Sequence, residues 1–506
     1  MNRLNRQLIK KEFKLPKDIE IGKIADMPER IIQFGEGNFL RAFVDWMVDV
    51  INEKGLFNGS VVVVQPIPQG LISVLNEQDG LYTLMLRGIQ NGEIVEKKRI
   101  ITSISRGIDP YKEWDKFLEC AANPHLRFII SNTTEAGIAY VEEKRPTDQC
   151  PTSFPAKVTA FLYERYKHFE GAADKGMLIL PCELIDRNGD QLKEIVLRYA
   201  DEWELEPQFK EWIEKNNCFF NTLVDRIVTG YPKDEIEEIT AKLGYEDKLL
   251  DTGEIFHLWV IEGDKRFAEE LPFTKAGLNV LWTDDVTPYR TRKVRILNGA
   301  HTMTVLAAYL YGKDTVRECV EDPIIGAYMR KGIFEEIIPV LDLPESEKKE
   351  FAEAIFERFA NPFIRHMLLS ISLNSVSKWK VRVLPSLLGY LDQKGQLPTI
   401  LTFSLSALLA FYRGTEIDDG GLLIGNRGGN TYRVSDNGEI IEFFASLWQE
   451  YETNKDVRAI VEKALGRVDF WDQDLNKVEG MTEAVTGYLD DIIQNGIDCA
   501  IKRILK

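Results

Sequence analysis

Between residues 291 and 303 the sequence reads TRKVRILNGAHTM, which sets an amine (Lys293), an amide (Asn298) and an imidazole (His301) into an otherwise apolar helical pattern. At about 100° per residue, Asn298 falls roughly 140° and His301 roughly 80° around the helix from Lys293, so the three share one broad face. Singly, each has a structural explanation: a lysine that snorkels, an asparagine that caps, a core histidine donating to a carbonyl. Together they have the chemistry of carbonyl reduction. A lysine can protonate a developing alkoxide while an amide and an imidazole orient and polarise the oxygen. The reverse reaction needs a neutral amine, which burial or the charges of Arg292 and Arg295 would favour. Gly299 in the same helix costs about 1 kcal/mol relative to alanine, implying close backbone packing or ligand approach.

A second stretch, RIIQFGEGNFLRAFVD at 30–45, runs from an apolar strand through Gly35 and Gly37 into an amphipathic helix. Gly35 suits a tight turn, and Gly37 suits close approach of a pyrophosphate to N–H groups at a helix start. Leu40 stands where G-x-G-x-x-G has its third glycine, so an ordinary strand-to-helix turn remains the competing reading. Arg41 is either a cation for the diphosphate or a solvated helix residue. The strand SVVVVQP at 60–66 is a β-branched run suited to a parallel sheet covered on both faces. It ends at Gln65, where an Asp or Glu would mark NAD, so this position does not choose between NAD and NADP.

These pieces need a scaffold. Strands are expected near 81–88, 127–137 and 176–185 with helical segments between several of them, which makes the first half an α/β, doubly wound sheet. Its ligands belong beyond the strands' carboxyl ends, where Ser131 to Glu135 and Cys182 to Asp186 fall, although turn and cap chemistry also explains those residues. In NTLVDRIVTGYP, Asp225 and Arg226 either pair internally or present Asp225 to a sugar hydroxyl. After about residue 285 the pattern turns helical, with segments at 292–311, 322–340, 347–359, 362–376, 400–413 and 438–451. The glycine-rich 418–438 is expected to be a surface hairpin or lid edge. Charge along 347–359 and 455–465 marks solvated faces, while Arg365, His366, Lys378, Lys380 and Arg382 make a basic cluster.

With 506 residues, 44% of them hydrophobic, the chain can bury large cores in two or three domains. A net charge of −17 disfavours nucleic acid and anionic membranes as partners. No apolar run approaches a membrane span and the basic N-terminus lacks a signal-peptide core, so a cytoplasmic protein is expected. The six cysteines and five histidines show no metal-ligand spacing, and neither G-x-S-x-G nor G-x-x-x-x-G-K-[ST] occurs. Neither a metal site nor disulfides are expected.

The combination of FGEGNFLRAF, SNTTEAGI, VDRI and K-x-R-x-L-N-G-x-H resembles the long-chain mannitol dehydrogenase family, metal-independent NAD(P)-linked dehydrogenases of polyols and sugar acids. PCELIDRNGD, TLVDRIVTGYP and ALLAFYRG extend the likeness over nearly the whole chain. It implies a Rossmann-like NAD-binding domain at 1–284 and a mainly α-helical substrate-binding and catalytic domain at 285–506. It places Phe34, Gly35, Gly37, Asn38, Phe39 and Arg41, with Thr134 and Glu135, at NAD. Lys293 becomes the general acid/base with Asn298 and His301 as carbonyl partners, and Asp225 and Lys378 contact substrate. Polyol-oxidising relatives carry C-D-N-L where this chain has Cys182-Glu183-Leu184-Ile185, so the substrate-contacting Asn is Leu184 here. That departure argues for a sugar acid, whose counter-charge the basic cluster would supply. The alternatives are a fructuronate reductase or polyol dehydrogenase of the same family and a catalytically silent NAD-binding sensor, the latter disfavoured by the intact Lys293, Asn298 and His301.

Overall fold

The computed structural model describes residues 2–10, 15–134 and 136–506. It divides into two compact units, residues 1–286 and 287–506. The first contains strands β1 (Ile19–Ile21), β2 (Glu29–Phe34), β3 (Ser60–Val64), β4 (Tyr82–Gln90), β5 (Glu93–Ile101), β6 (Ile104–Ile108) and β7 (Phe128–Ser131). They are followed by β8 (Leu178–Pro181), β9 (Cys218–Phe219), β10 (Asn221–Asp225), β11 (Asp251–Gly253), β12 (Leu258–Glu262) and β13 (Val280–Thr283).

Six strands form a wholly parallel sheet in the order β6-β3-β2-β7-β8-β9. Counted within that sheet alone, the order is 3-2-1-4-5-6, the doubly wound arrangement of dinucleotide folds. All five residues of β3 are buried, which is why it reads as an unbroken run of valines after Ser60. The chain reverses its winding between β2 and β7, so the crevice for a ligand opens beyond Phe34 and Ser131.

The expected strand at 81–88 does not join this sheet. As β4 it makes an antiparallel hairpin with β5, and the pair belongs to a separate four-stranded sheet, β1-β5-β4-β11. The third position of the doubly wound sheet is filled instead by β6, which sequence reading passed over. The cause is visible in β5: EIVEKKRII is largely exposed until its last three residues, so charge hides the strand. A third sheet, β10-β12-β13, carries Asp225 at the end of β10.

Beneath the glycine turn lies a buried polar knot. The Gln33 amide donates to the Gly35 carbonyl (3.0 Å) and to the Asp45 carboxyl (3.1 Å). Asp45 is fully buried, and that burial pushes its pKa to about 7 against the donation from Gln33. Between pH 4 and 7 the unfolded chain releases this proton and the folded one keeps it, so stability falls as pH rises through that window. The pKa of about 7 against an ordinary 3.8 corresponds to roughly 4 kcal/mol above pH 7. Asp45→Asn is therefore expected to unfold at higher urea than wild type at pH 8, with the advantage shrinking toward pH 4.

The second unit is helical around two long segments. Residues 287–311 are continuous, made of Thr287–Arg292, a wider π-type turn over Lys293–Asn298, and Gly299–Tyr311. The second, Thr399–Phe411, is apolar and buried from Ile400 to its end. Its start is held by buried Glu336, whose two carboxylate oxygens accept the N–H groups of Ile400 and Leu401 at 2.9 Å each. The expected helix at 362–376 is not formed. Helical turns cover only Leu368–Ile371 there, and a new helix, Ser375–Arg382, starts after Asn374, whose φ of 54° breaks the register. The 418–438 segment does hold a hairpin, Leu423–Arg427 with Asn430–Val434, closed by Gly428 and Gly429 in left-handed conformations.

Candidate active site

The functional candidates fall into two sets, one in each unit. In the first unit, helix α1 (residues 38–53) follows the turn after β2 and includes its own π-type turn at Arg41–Asp45. Gly35 has φ +120°, and a Cβ there would sit 3.0 Å from the Asn132 carbonyl of the loop after β7. Glycine is therefore required, both for the backbone conformation and for the meeting of the two loops at the switch point. A Cβ on exposed Gly37 would meet nothing within 4 Å, leaving open room above the helix start for an anionic group. Gly35→Ala is expected to cost about 1–3 kcal/mol in the turn. Its affinity for NADH, followed by fluorescence titration, should fall on the order of 10-fold.

The other loop residues divide by role. Phe34 is core, edge-on to Phe117 and Phe154 at 5.8 and 5.1 Å. Phe39 is half-buried and stacks on Phe43 at 4.9 Å. Asn38 accepts from the Arg41 guanidinium at 2.7 Å, and its amide presses on Gly230 of the VTGYP segment. Arg41 is not a solvated helix residue: it is buried, lies over the Tyr82 ring and donates to the carbonyls of Glu36 and Leu249. With Asp251 3.8 Å away, it places a positive charge under the loop.

Thr134 is exposed at φ 76°, a strained conformation for a β-branched residue at the crevice edge. Glu135 lies outside the described residues. Asp225 is buried at the end of β10. Its neighbour Arg226 donates to the carbonyls of Ala42, Ile255 and Phe256, pinning α1 from below.

Two acids at this edge, both within stretches singled out in the sequence, have partners that only the structure shows. Glu36, between the two glycines, accepts the Leu71 N–H at 3.1 Å, and burial raises its pKa. Glu183 is almost fully buried and accepts from the Ser131 hydroxyl and from the N–H and hydroxyl of Thr133, knotting the loops after β7 and β8 together. Only the assembled sheet brings those loops side by side. Leu184 beside it is 54% exposed, an apolar side chain at the strand's carboxyl end. Gln65 is buried and donates to the Pro68 carbonyl at 3.1 Å.

In the second unit the 287–311 helix is α2. Its π-type turn absorbs about one residue, so Asn298 swings to roughly 40° and His301 to roughly 20° from Lys293. The three residues share a narrower stripe than an ideal helix allows. Lys293 and Asn298 are half-buried, and His301 is 9% exposed. The His301 ring stacks on Phe359 at 4.3 Å and meets His366 edge-on at 5.3 Å. Burial drives its pKa well below the usual histidine range, helped by His366, Arg358, Arg382 and Lys378, so the ring is neutral. Among the described residues its buried Nε2 has no hydrogen-bond partner, a cost of about 1–3 kcal/mol that a ligand oxygen would relieve.

Around His301 stand helix α3 (Glu345–Phe359) and helix α4 (Ser375–Arg382). The charge on α3 is not all solvated: Lys348 and Arg358 are buried, Lys348 donating to the Leu341 carbonyl at 2.8 Å. Arg358 is one of many charges on its helix, and nothing in the spacing sets it apart from those that are solvated. Of the expected basic cluster, Lys378, Arg382 and His366 act on His301, while Lys380 pairs with Asp472 at 3.0 Å and Arg365 is exposed. Gly299 serves backbone packing, since a Cβ there would lie 3.3 Å from the Arg382 carbonyl.

No group of His, Cys, Asp and Glu among the described residues could hold a metal ion, and no helix of these is long and apolar enough to cross a membrane. The arrangement offers a glycine turn open to a dinucleotide, and a lysine, an amide and a neutral imidazole in one stripe amid cations.

Comparison with known proteins matches residues 29–275 to the mannitol dehydrogenase Rossmann domain and 285–493 to the mannitol dehydrogenase C-terminal domain. The altronate oxidoreductase of Pectobacterium carotovorum subsp. carotovorum (strain PC1) is 49% identical over 477 residues, covering 94% of this chain and 96% of that protein. Among solved structures, a substrate-free D-sorbitol dehydrogenase has a TM-score of 0.80 at 22% identity, covering 99% of this chain and 100% of its own. Pseudomonas fluorescens mannitol 2-dehydrogenase, solved with NAD and D-mannitol, has a TM-score of 0.68 at 22% identity, covering 99% of each chain. With both domain models and a full-length relative in agreement, the chain belongs to the mannitol dehydrogenase family.

Proposed function

We propose that the chain is an NAD-dependent oxidoreductase that reduces the ketone of D-tagaturonate to give D-altronate, reversibly, in the cytoplasmic breakdown of hexuronates such as galacturonate. The observation that carries this reading is the buried, partnerless Nε2 of a neutral His301 surrounded by cations, a place for a carbonyl oxygen on an anionic molecule. Near 50% identity to an altronate oxidoreductase along almost the whole chain names the sugar acid. Leu184, apolar and exposed where polyol-oxidising relatives hold a polar contact, is against a neutral polyol.

In this reading Gly35, Gly37, Asn38 and Phe39 form the NAD loop, braced from below by Arg41, and Thr134 and Glu135 are further NAD contacts. NADH held there would supply the hydride that the carbonyl carbon takes up. The carbon–oxygen π pair moves onto oxygen, where the amide of Asn298 and the imidazole of His301 hold the developing negative charge. Lys293 gives its proton to that oxygen and is reprotonated from water. In oxidation a neutral Lys293 takes the hydroxyl proton instead. Asp225 and Lys378 bind the rest of the sugar acid.

The oxidative direction tests the substrate class. With purified protein and NAD at alkaline pH, D-altronate is expected to drive NAD reduction while D-mannitol and D-sorbitol do so at least about 100-fold less efficiently, the selectivity of a site built around a charged group. Equal or faster oxidation of either neutral polyol would overturn the reading.

A further inference from the structure

Among the described residues, three basic side chains near the reactive stripe, Arg295, Lys378 and Arg382, form no ion pair, in a chain with 17 more acidic than basic residues. The Arg295 guanidinium donates to the Ser386 hydroxyl at 3.1 Å. The Lys378 ammonium donates to the Ile371 carbonyl at 2.9 Å. One Arg382 nitrogen lies 3.5 Å from the Thr302 hydroxyl, one residue past His301. The acid that acts on Lys378, Asp436, already accepts from the Tyr412 hydroxyl and from the N–H groups of Val376 and Asn437.

Placement is as deliberate as the missing counter-charge. Lys378 and Arg382 are i and i+4 on α4, where like charges repel unless an anion joins them. The backbone of Arg382 is drawn against α2 at Gly299, the one residue between Asn298 and Ala300 that leaves room for its carbonyl. That contact sets the guanidinium beside the helix turn that carries Asn298 and His301. Both side chains are half-buried, and that burial lowers the pKa of Arg382 and of Lys378, the latter also through the charge of Arg382.

We propose that Arg382, with Lys378 one turn before it, seats the carboxylate of the substrate and thereby selects a sugar acid over the neutral ketose of the same shape. The planar guanidinium gives two parallel N–H donors to a carboxylate, and the ammonium adds a point charge. This rests on the proposed reduction of a sugar acid and adds the residue that makes the choice.

The test compares wild type, Arg382→Gln and Arg382→Lys on D-tagaturonate and on D-tagatose, which has a hydroxymethyl group in place of the carboxylate. Wild type is expected to favour the acid strongly. In Arg382→Gln the ratio of kcat/KM for the acid over the ketose should fall on the order of 100-fold, mainly through KM for the acid, with Arg382→Lys intermediate. A separate binding measurement uses D-galactonate and galactitol as fixed probes by calorimetry. Wild type should bind the aldonate and not the alditol, and Arg382→Gln should lose the aldonate. That result keeps the carboxylate seat even where tagaturonate is not turned over, so the two readings fail separately. Equal losses on acid and ketose, or unchanged aldonate binding in Arg382→Gln with its NADH affinity intact, would overturn the proposal.

Discussion

Lys293→Ala is expected to lower kcat for ketone reduction by about 10³- to 10⁴-fold, the upper part of what a positioned general acid supplies, while leaving the Kd for NADH within about 3-fold, a difference of under 1 kcal/mol. The two halves of this expectation rest on different units. The glycine turn, its brace Arg41 and the Gln33–Asp45 knot all belong to the first unit, whereas Lys293 belongs to α2 in the second. A stopped-flow measurement of one turnover separates proton-assisted hydride transfer from release of product. Near-normal turnover by the variant would remove Lys293 from the chemistry.

The second large effect concerns the oxygen. His301→Phe keeps the stacking on Phe359 but removes both ring nitrogens. Loss of one preorganised donor to a developing oxyanion costs about 2–4 kcal/mol, so kcat/KM should fall roughly 30- to 1,000-fold. Asn298→Ala should lose a similar amount. Because both residues serve one oxygen, the double variant should lose less than the sum. Stability separates this role from a merely structural one. Removing the unsatisfied Nε2 relieves a buried polar group, so His301→Phe should be no less stable than wild type in urea while being far less active. A variant that loses stability and activity together would mark His301 as a packing residue.

That Lys293, Asn298 and His301 share one helical face could be read from the spacing in TRKVRILNGAHTM. The π-type turn that draws them to a narrower stripe could not, since a periodicity of 3.6 is assumed when a helix is read from spacing. The β2 turn was legible through Gly35 and Gly37, but the inward course of Arg41 depends on Leu249 and Asp251, some 200 residues away in sequence. Strands β5 and β6 were hidden for different reasons: one is mostly exposed and charged, and the other is five residues long with Ser105 and Arg106 inside it.

Arg382 illustrates the same limit. In the sequence it is one charge among several at the end of a short helix. Only the contact of its carbonyl with Gly299, and the lack of an ion pair among the described residues, distinguish it from Lys380, which pairs with Asp472. Isolated charges acquire meaning from what neutralises them, and that information is tertiary.

The most direct measurement is NADH oxidation by the purified chain with D-tagaturonate, D-fructuronate and D-tagatose, followed on one preparation. The proposed function predicts the highest kcat/KM for D-tagaturonate, with little turnover when NADPH replaces NADH. Preference for D-fructuronate or for the neutral ketose, or NADH binding without turnover of any of the three, would contradict it.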